Sequence, residues 1–169
     1  MPENLDKTDI MKLSNELTYQ RHLFNREYRK DIFMKMSIPE YIALQYIAME
    51  EASSIYSGRT YLKDLADKLQ MTMRQVSRMV EKLQDAGYVV WSHDGNGSEG
   101  TYVTITESGQ RMLKNQEEIL KEYYGKVFET FGKDNLIQLL SLMKQLETVM
   151  SSEMEKLSFL MQTDSNCLT

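Results

Sequence analysis

The chain has 169 residues, 41% of them hydrophobic and 27% charged, with a formal net charge of −5, the composition of one compact domain or of a small domain with helical extensions. No stretch reaches the ~18 consecutive apolar residues of a membrane-spanning helix, and Met1-Pro2-Glu3-Asn4 lacks the basic-then-apolar order of a signal peptide. A single cysteine, Cys167, cannot close an internal disulfide, so a cytoplasmic protein is expected.

In chain order, Ile10, Leu13, Leu17, Phe24, Tyr28 and Ile32 recur at helical spacings and predict a long helix over 7–33, uninterrupted by Gly or Pro. Ser37 offers an N-cap with Glu40 three residues on and Pro39 in the first turn. The helix that follows, about 38–51, is expected to turn Ile38, Ile42, Leu44 and Ile47 inward, and Ala52–Gly58 reads as a loop. A short helix over 62–70 carries Leu62, Leu65, Ala66 and Leu69 on one face. After the break Gln70-Met71, a further helix runs from Thr72 to about Ala86, and Gly87 stands where a left-handed residue ends a helix.

Tyr88-Val89-Val90-Trp91 and Thr101-Tyr102-Val103-Thr104-Ile105 are β-branched and aromatic runs. Turn-forming residues 93–100 separate them, so the pair reads as a β-hairpin. Thr106 caps a second long helix to about Phe131, stopped by Gly132. The last helix, about 134–161, shows a broad apolar stripe of Leu136, Leu139, Leu140, Met143, Leu146, Met150, Leu157 and Leu160, before a polar tail.

A short helix, a tight turn, a second amphipathic helix and then a hairpin is the order of a winged helix-turn-helix. In the second helix, Thr72-Met73-Arg74-Gln75 forms a capping box, and Val76, Met79, Val80 and Leu83 fall in one arc. The opposite arc holds Arg74, Gln75, Ser77, Arg78, Glu81 and Lys82. Arg74 and Arg78 have the chemistry to fork onto guanine and Gln75 to pair with adenine, while Ser77 and Lys82 suit phosphate oxygens. Local charge agrees: residues 59–82 carry six cations against three anions, so this window is +3 while the rest of the chain is −8. The bland alternative is an ordinary solvated helix face.

Other chemistry is sparse. His22, His93 and Cys167 are too few for a structural zinc site of four protein ligands. Glu50-Glu51 and Glu117-Glu118 are adjacent in sequence and diverge on a helix, and neither a P-loop, a dinucleotide-binding glycine motif nor a nucleophile elbow is present. No enzyme, metal or cofactor is expected.

From Ser37 onward the residues resemble the MarR family of bacterial regulators. Ser37-Ile38-Pro39-Glu40-Tyr41-Ile42-Ala43-Leu44 is similar to the opening of that family's second helix, and Leu62-Lys63-Asp64-Leu65-Ala66-Asp67-Lys68-Leu69 to its first helix-turn-helix segment. Thr72 to Gly87-Tyr88-Val89 is similar to its recognition helix, and Ile105-Thr106-Glu107-Ser108-Gly109 to the motif closing its wing. The resemblance spans roughly residues 37–113 by motif and the remainder by helix order.

It implies a mainly α fold: a winged helix-turn-helix with a small β-hairpin wing over 37–105, and a helical dimerisation module built from both chain ends, 1–36 and 106–169. Double-stranded DNA at a pseudo-palindromic operator, a second copy of the chain and a small-molecule effector held near the dimerisation helices are the implied partners, and a repressor the implied role. Candidate DNA-binding residues are Thr72, Arg74, Gln75, Ser77, Arg78 and Lys82. Candidate dimerisation residues are Leu13, Leu17, Leu139, Met143, Leu146 and Met150, on stripes that 37–105 is too short to cover. The chain departs from the family's pattern in two places. Gln70 stands where a turn glycine is usual, and Gly97-Ser98-Glu99 stands where the wing carries an Asp-x-Arg. With Asp94 and Glu99 and no Lys or Arg in 93–100, this wing is expected to add little affinity for DNA. The rival reading is a winged-helix protein-interaction module that has lost DNA binding.

Overall fold

The computed structural model describes residues 7–27, 36–53, 58–95 and 97–165. Its elements are α1 (Lys7–Glu27), α2 (Ile38–Ser53), β1 (Thr60–Tyr61), α3 (Leu62–Leu69), α4 (Met73–Asp85), β2 (Val89–His93), a 3-10 turn (Gly97–Gly100), β3 (Thr101–Ile105), α5 (Glu107–Phe131) and α6 (Lys133–Ser165). The protein is mainly helical, as the periodicity predicts. Tyr28 and Ile32 of the predicted first helix, Cys167, and the middle of the predicted 52–58 loop lie outside the described residues. The chain divides into two units, Met1–Leu120 and Lys121–Thr169.

In the first unit the core gathers Ala43, Leu44 and Ile47 of α2, Leu62, Leu65 and Ala66 of α3, and Val76, Met79, Val80 and Leu83 of α4, with Val89, Val103, Ile105 and Leu113 closing it. Both capping boxes form. The Ser37 N–H donates to Glu40 Oε2 at 2.6 Å, and the Glu40 N–H to Ser37 Oγ at 3.4 Å. Two expectations for α2 are corrected: Ile38 is exposed and Ile42 only half-buried, while Ala43 is fully buried. Ile38 occupies the first helical position, at the rim of the core. The hairpin is also larger than expected. β1 adds a third strand in the order β1-β3-β2, with Thr60 opposite Val103 and Tyr61 opposite Tyr102.

Two junctions fix α4 against its neighbours. Gln70 ends α3 in the left-handed region (φ 52°), with its Nε2 donating to the Asp67 carbonyl at 2.8 Å. After α4, Gly87 (φ 76°) reverses the chain, the Tyr88 N–H donates to the Leu83 carbonyl, and the Thr106 N–H donates to the Tyr88 carbonyl at 2.9 Å. Thr106 Oγ1 donates to the Gly87 carbonyl at 2.7 Å and accepts from the Gly109 N–H at 3.0 Å. A Cβ on Gly109 would lie 2.1 Å from the Tyr88 carbonyl oxygen. The Thr-x-x-Gly motif is therefore a clasp, tying the start of α5 to the exit of α4.

In the second unit, α6 presents Leu139, Leu142, Met143, Leu146, Val149, Met150, Met154 and Leu157 on one broad arc, all exposed. In the first unit, Ile10, Leu13, Leu17 and Phe24 of α1 fall on a narrow stripe and are exposed as well. No described helix is long and apolar enough to cross a membrane.

Candidate nucleic-acid interface

Helix α4 begins at Thr72, whose extended backbone (φ −70°, ψ 153°) turns the chain into the helix. Its hydroxyl accepts from the Gln75 N–H at 3.3 Å and donates to Gln75 Oε1 at 2.9 Å; the Thr72 N–H donates to the same oxygen at 2.9 Å. Val76, Met79, Val80 and Leu83 are buried, so the opposite face is turned to solvent by packing and not by preference. Arg74, Gln75, Arg78, Glu81 and Lys82 are exposed and Ser77 is half-buried.

All six residues picked out from the sequence thus lie on or beside one outward surface, though they do not have equal freedom. Gln75 spends its carbonyl oxygen on the capping box. Forking onto adenine needs both the oxygen and the amine of the side chain, so Gln75 has only its amine to offer while the cap holds. Thr72 is likewise engaged. Arg74, Arg78 and Lys82 form no ion pair or hydrogen bond among the described residues. They stand four residues apart along one side of the helix, where Glu81 and Asp85 lie three residues beyond Arg78 and Lys82, so the uncompensated positive charge is at the N-terminal end. Arg78 and Lys82 also line an open cavity of about 560 Å³ together with the carboxylates Glu81 and Asp85 of α4 and with Ser37, Pro39 and Glu40 at the start of α2, so its charge is mixed.

The wing is braced by groups that sequence patterning does not single out. Gln84 Oε1 accepts from the Trp91 N–H at 2.9 Å and so ties β2 to α4. Tyr61 Oη donates to Asp94 Oδ2 at 3.0 Å, and the Tyr61 ring meets Tyr102 edge-on at 6.0 Å. Asp94 thus has a bracing role within the fold. His93 Nδ1 accepts from the Gly95 N–H at 2.8 Å and its Nε2 meets the Gly97 carbonyl, which tightens the loop. Arg59, just before β1, places its guanidinium 4.5 Å from the centre of the Tyr102 ring. Burial, then the Glu117 carboxylate, raises Tyr41 above the ordinary tyrosine value; burial, then Glu50 and Asp64, raises Tyr46.

The model for the N-terminal region of sugar transport-related sRNA regulators matches residues 42–162, most of the chain. The chain belongs to this family. Comparison with curated proteins by sequence finds no match. Among solved structures, this regulator-family chain is similar to a MarR family regulator from Neisseria meningitidis, 19% identical over 90% of this chain and 99% of that one, with a TM-score of 0.63. It is similar as well to a mutant of MarR from E. coli complexed with operator DNA, 15% identical over 84% and 99%, TM-score 0.65. A third is NadR in complex with 4-hydroxyphenylacetate, 17% identical over 83% and 98%, TM-score 0.60. The MarR-like fold read from the sequence is the fold of this family member.

Proposed function

We propose that this chain is a sequence-specific double-stranded DNA-binding transcriptional regulator that acts as a homodimer, responds to a small-molecule effector and works as a repressor without enzymatic activity, in the cytoplasm. The observation that carries this reading is the exposure of Arg74, Gln75, Arg78 and Lys82 on a helix whose other face is locked into the core. Glu81 and Asp85 share the C-terminal half of the exposed face, and Arg74 and Arg78 leave its N-terminal half, next to the capped helix start, positive. Arg74 and Arg78 read base edges, Lys82 and Ser77 hold phosphates, and Thr72 with Gln75 sets the helix end that points at the groove. The similar fold of a protein crystallised on operator DNA, and of another crystallised with a small aromatic acid, supports both halves of the reading.

Second copies are assigned to the exposed stripes, Leu13 and Leu17 on α1 and Leu139, Met143, Leu146 and Met150 on α6. Apolar stripes of this extent remain in water only at a cost that association removes. A two-fold dimer places its recognition helices about 34 Å apart, one turn of the duplex. Effector binding then shifts that separation. Selection of bound sites from a random duplex pool tests this. Enrichment of a two-fold pseudo-palindrome with half-sites about one helical turn apart is expected. A pool that fails to enrich any sequence contradicts it and favours a protein-interaction module.

A further inference from the structure

The capping box leaves α4 with a gap in its readout. Of its two glutamines, Gln84 accepts from the Trp91 N–H and Gln75 has its carbonyl oxygen bonded to both the N–H and the hydroxyl of Thr72, while the arginines are suited to guanine. An A·T pair also carries the thymine C5-methyl in the major groove, which is read by apolar contact and needs no hydrogen bond. The first helical residue of α4 is Met73, a large apolar side chain that is 44% exposed and lies outside the buried core. At 100° per residue it falls at the edge of the helix between buried Val80 and half-buried Ser77, a quarter-turn from Arg74 and opposite Lys82. Residues at the start of a recognition helix are the ones that meet base edges. An unbranched, polarisable thioether can follow a methyl group without exact registration.

We propose that Met73 reads a thymine methyl in each half-site, next to the base contacted by Arg74. This inference rests on the DNA-binding reading and adds a specificity residue to it.

The test uses the full chain and a duplex selected from a random pool, with each thymine replaced in turn by deoxyuridine. That replacement deletes the C5-methyl and leaves every hydrogen-bonding atom in place. At one thymine per half-site the wild type is expected to bind the deoxyuridine duplex about two- to fourfold more weakly, the equivalent of withdrawing up to one methyl group from apolar contact. Met73→Ala should bind the two duplexes equally, with the melting temperature and the salt dependence unchanged, and Met73→Leu should restore the preference. Wild-type indifference to deoxyuridine at every position, or a Met73→Ala variant that discriminates as the wild type does, overturns the methyl contact while leaving DNA binding standing. A pool that yields no bound duplex overturns both.

Discussion

Gln70 holds the turn between α3 and α4 in a left-handed conformation that glycine adopts without a Cβ penalty, and it keeps its place partly through the bond from its amide to the Asp67 carbonyl. A non-glycine residue there costs about 1 kcal/mol or more, and an exposed hydrogen bond returns less than that. Gln70→Gly should therefore raise the stability in urea unfolding by about 0.5–1 kcal/mol, without altering DNA affinity, and a loss of stability would show that the side-chain bond outweighs the backbone strain. Residue identities made much of this scale legible in advance. Thr72 and Gln75, and Ser37 and Glu40, form the boxes that their spacing announces. The double duty of Gln75 was not legible, because a sequence lists what a side chain is able to bond and not which partner reaches it first. Ile38 misled for a related reason: an apolar residue at the first helical position keeps the helical period and still stays exposed.

At the level of elements, α3 and α4 were readable because their apolar positions keep a helical period and their ends carry caps. β1 was not. Two residues, Thr60 and Tyr61, have no period of their own, and they become a strand only because Val103 and Tyr102 arrive opposite them from forty residues downstream. The same pairing brings Arg59 onto the hairpin, which gives the wing a cation that its own loop lacks. The loop itself has no Lys or Arg in 93–100, and Asp94 braces the hairpin from Tyr61. Glu99 is the other carboxylate of that loop's sequence. Glu99→Arg replaces repulsion by attraction and should tighten duplex binding at fixed salt by roughly three- to tenfold, with a steeper salt dependence. Unchanged or weaker binding in a fluorescence-anisotropy titration would place the wing away from the DNA.

For the whole molecule, the stripes on α1 and α6 were legible as stripes, and the proposal assigns a second copy of the chain to them. Leu139, Met143, Leu146 and Met150 remain exposed, as do Leu13 and Leu17. Sedimentation at micromolar concentration should give twice the chain mass. Leu146→Glu combined with Met150→Glu puts charges into the proposed contact, where burying each costs several kcal/mol, and should yield a monomer of unchanged helicity that loses the preference for paired half-sites. A wild-type monomer, or a variant that still dimerises, would refute the assignment of a second copy to α6.

The central claim is that Arg74, Arg78 and Lys82 face the phosphate-lined groove of a duplex. Its most direct test is the salt dependence of binding to a selected duplex, for the wild type and for Arg74→Gln combined with Arg78→Gln. The two phosphate-holding Lys82 of a dimer predict a slope of log K against log salt on the order of −2. Removing the four base-reading arginines should weaken binding, leave most of that slope and abolish the preference for the selected sequence. A wild-type slope near zero, or a variant that keeps the preference, would contradict the account.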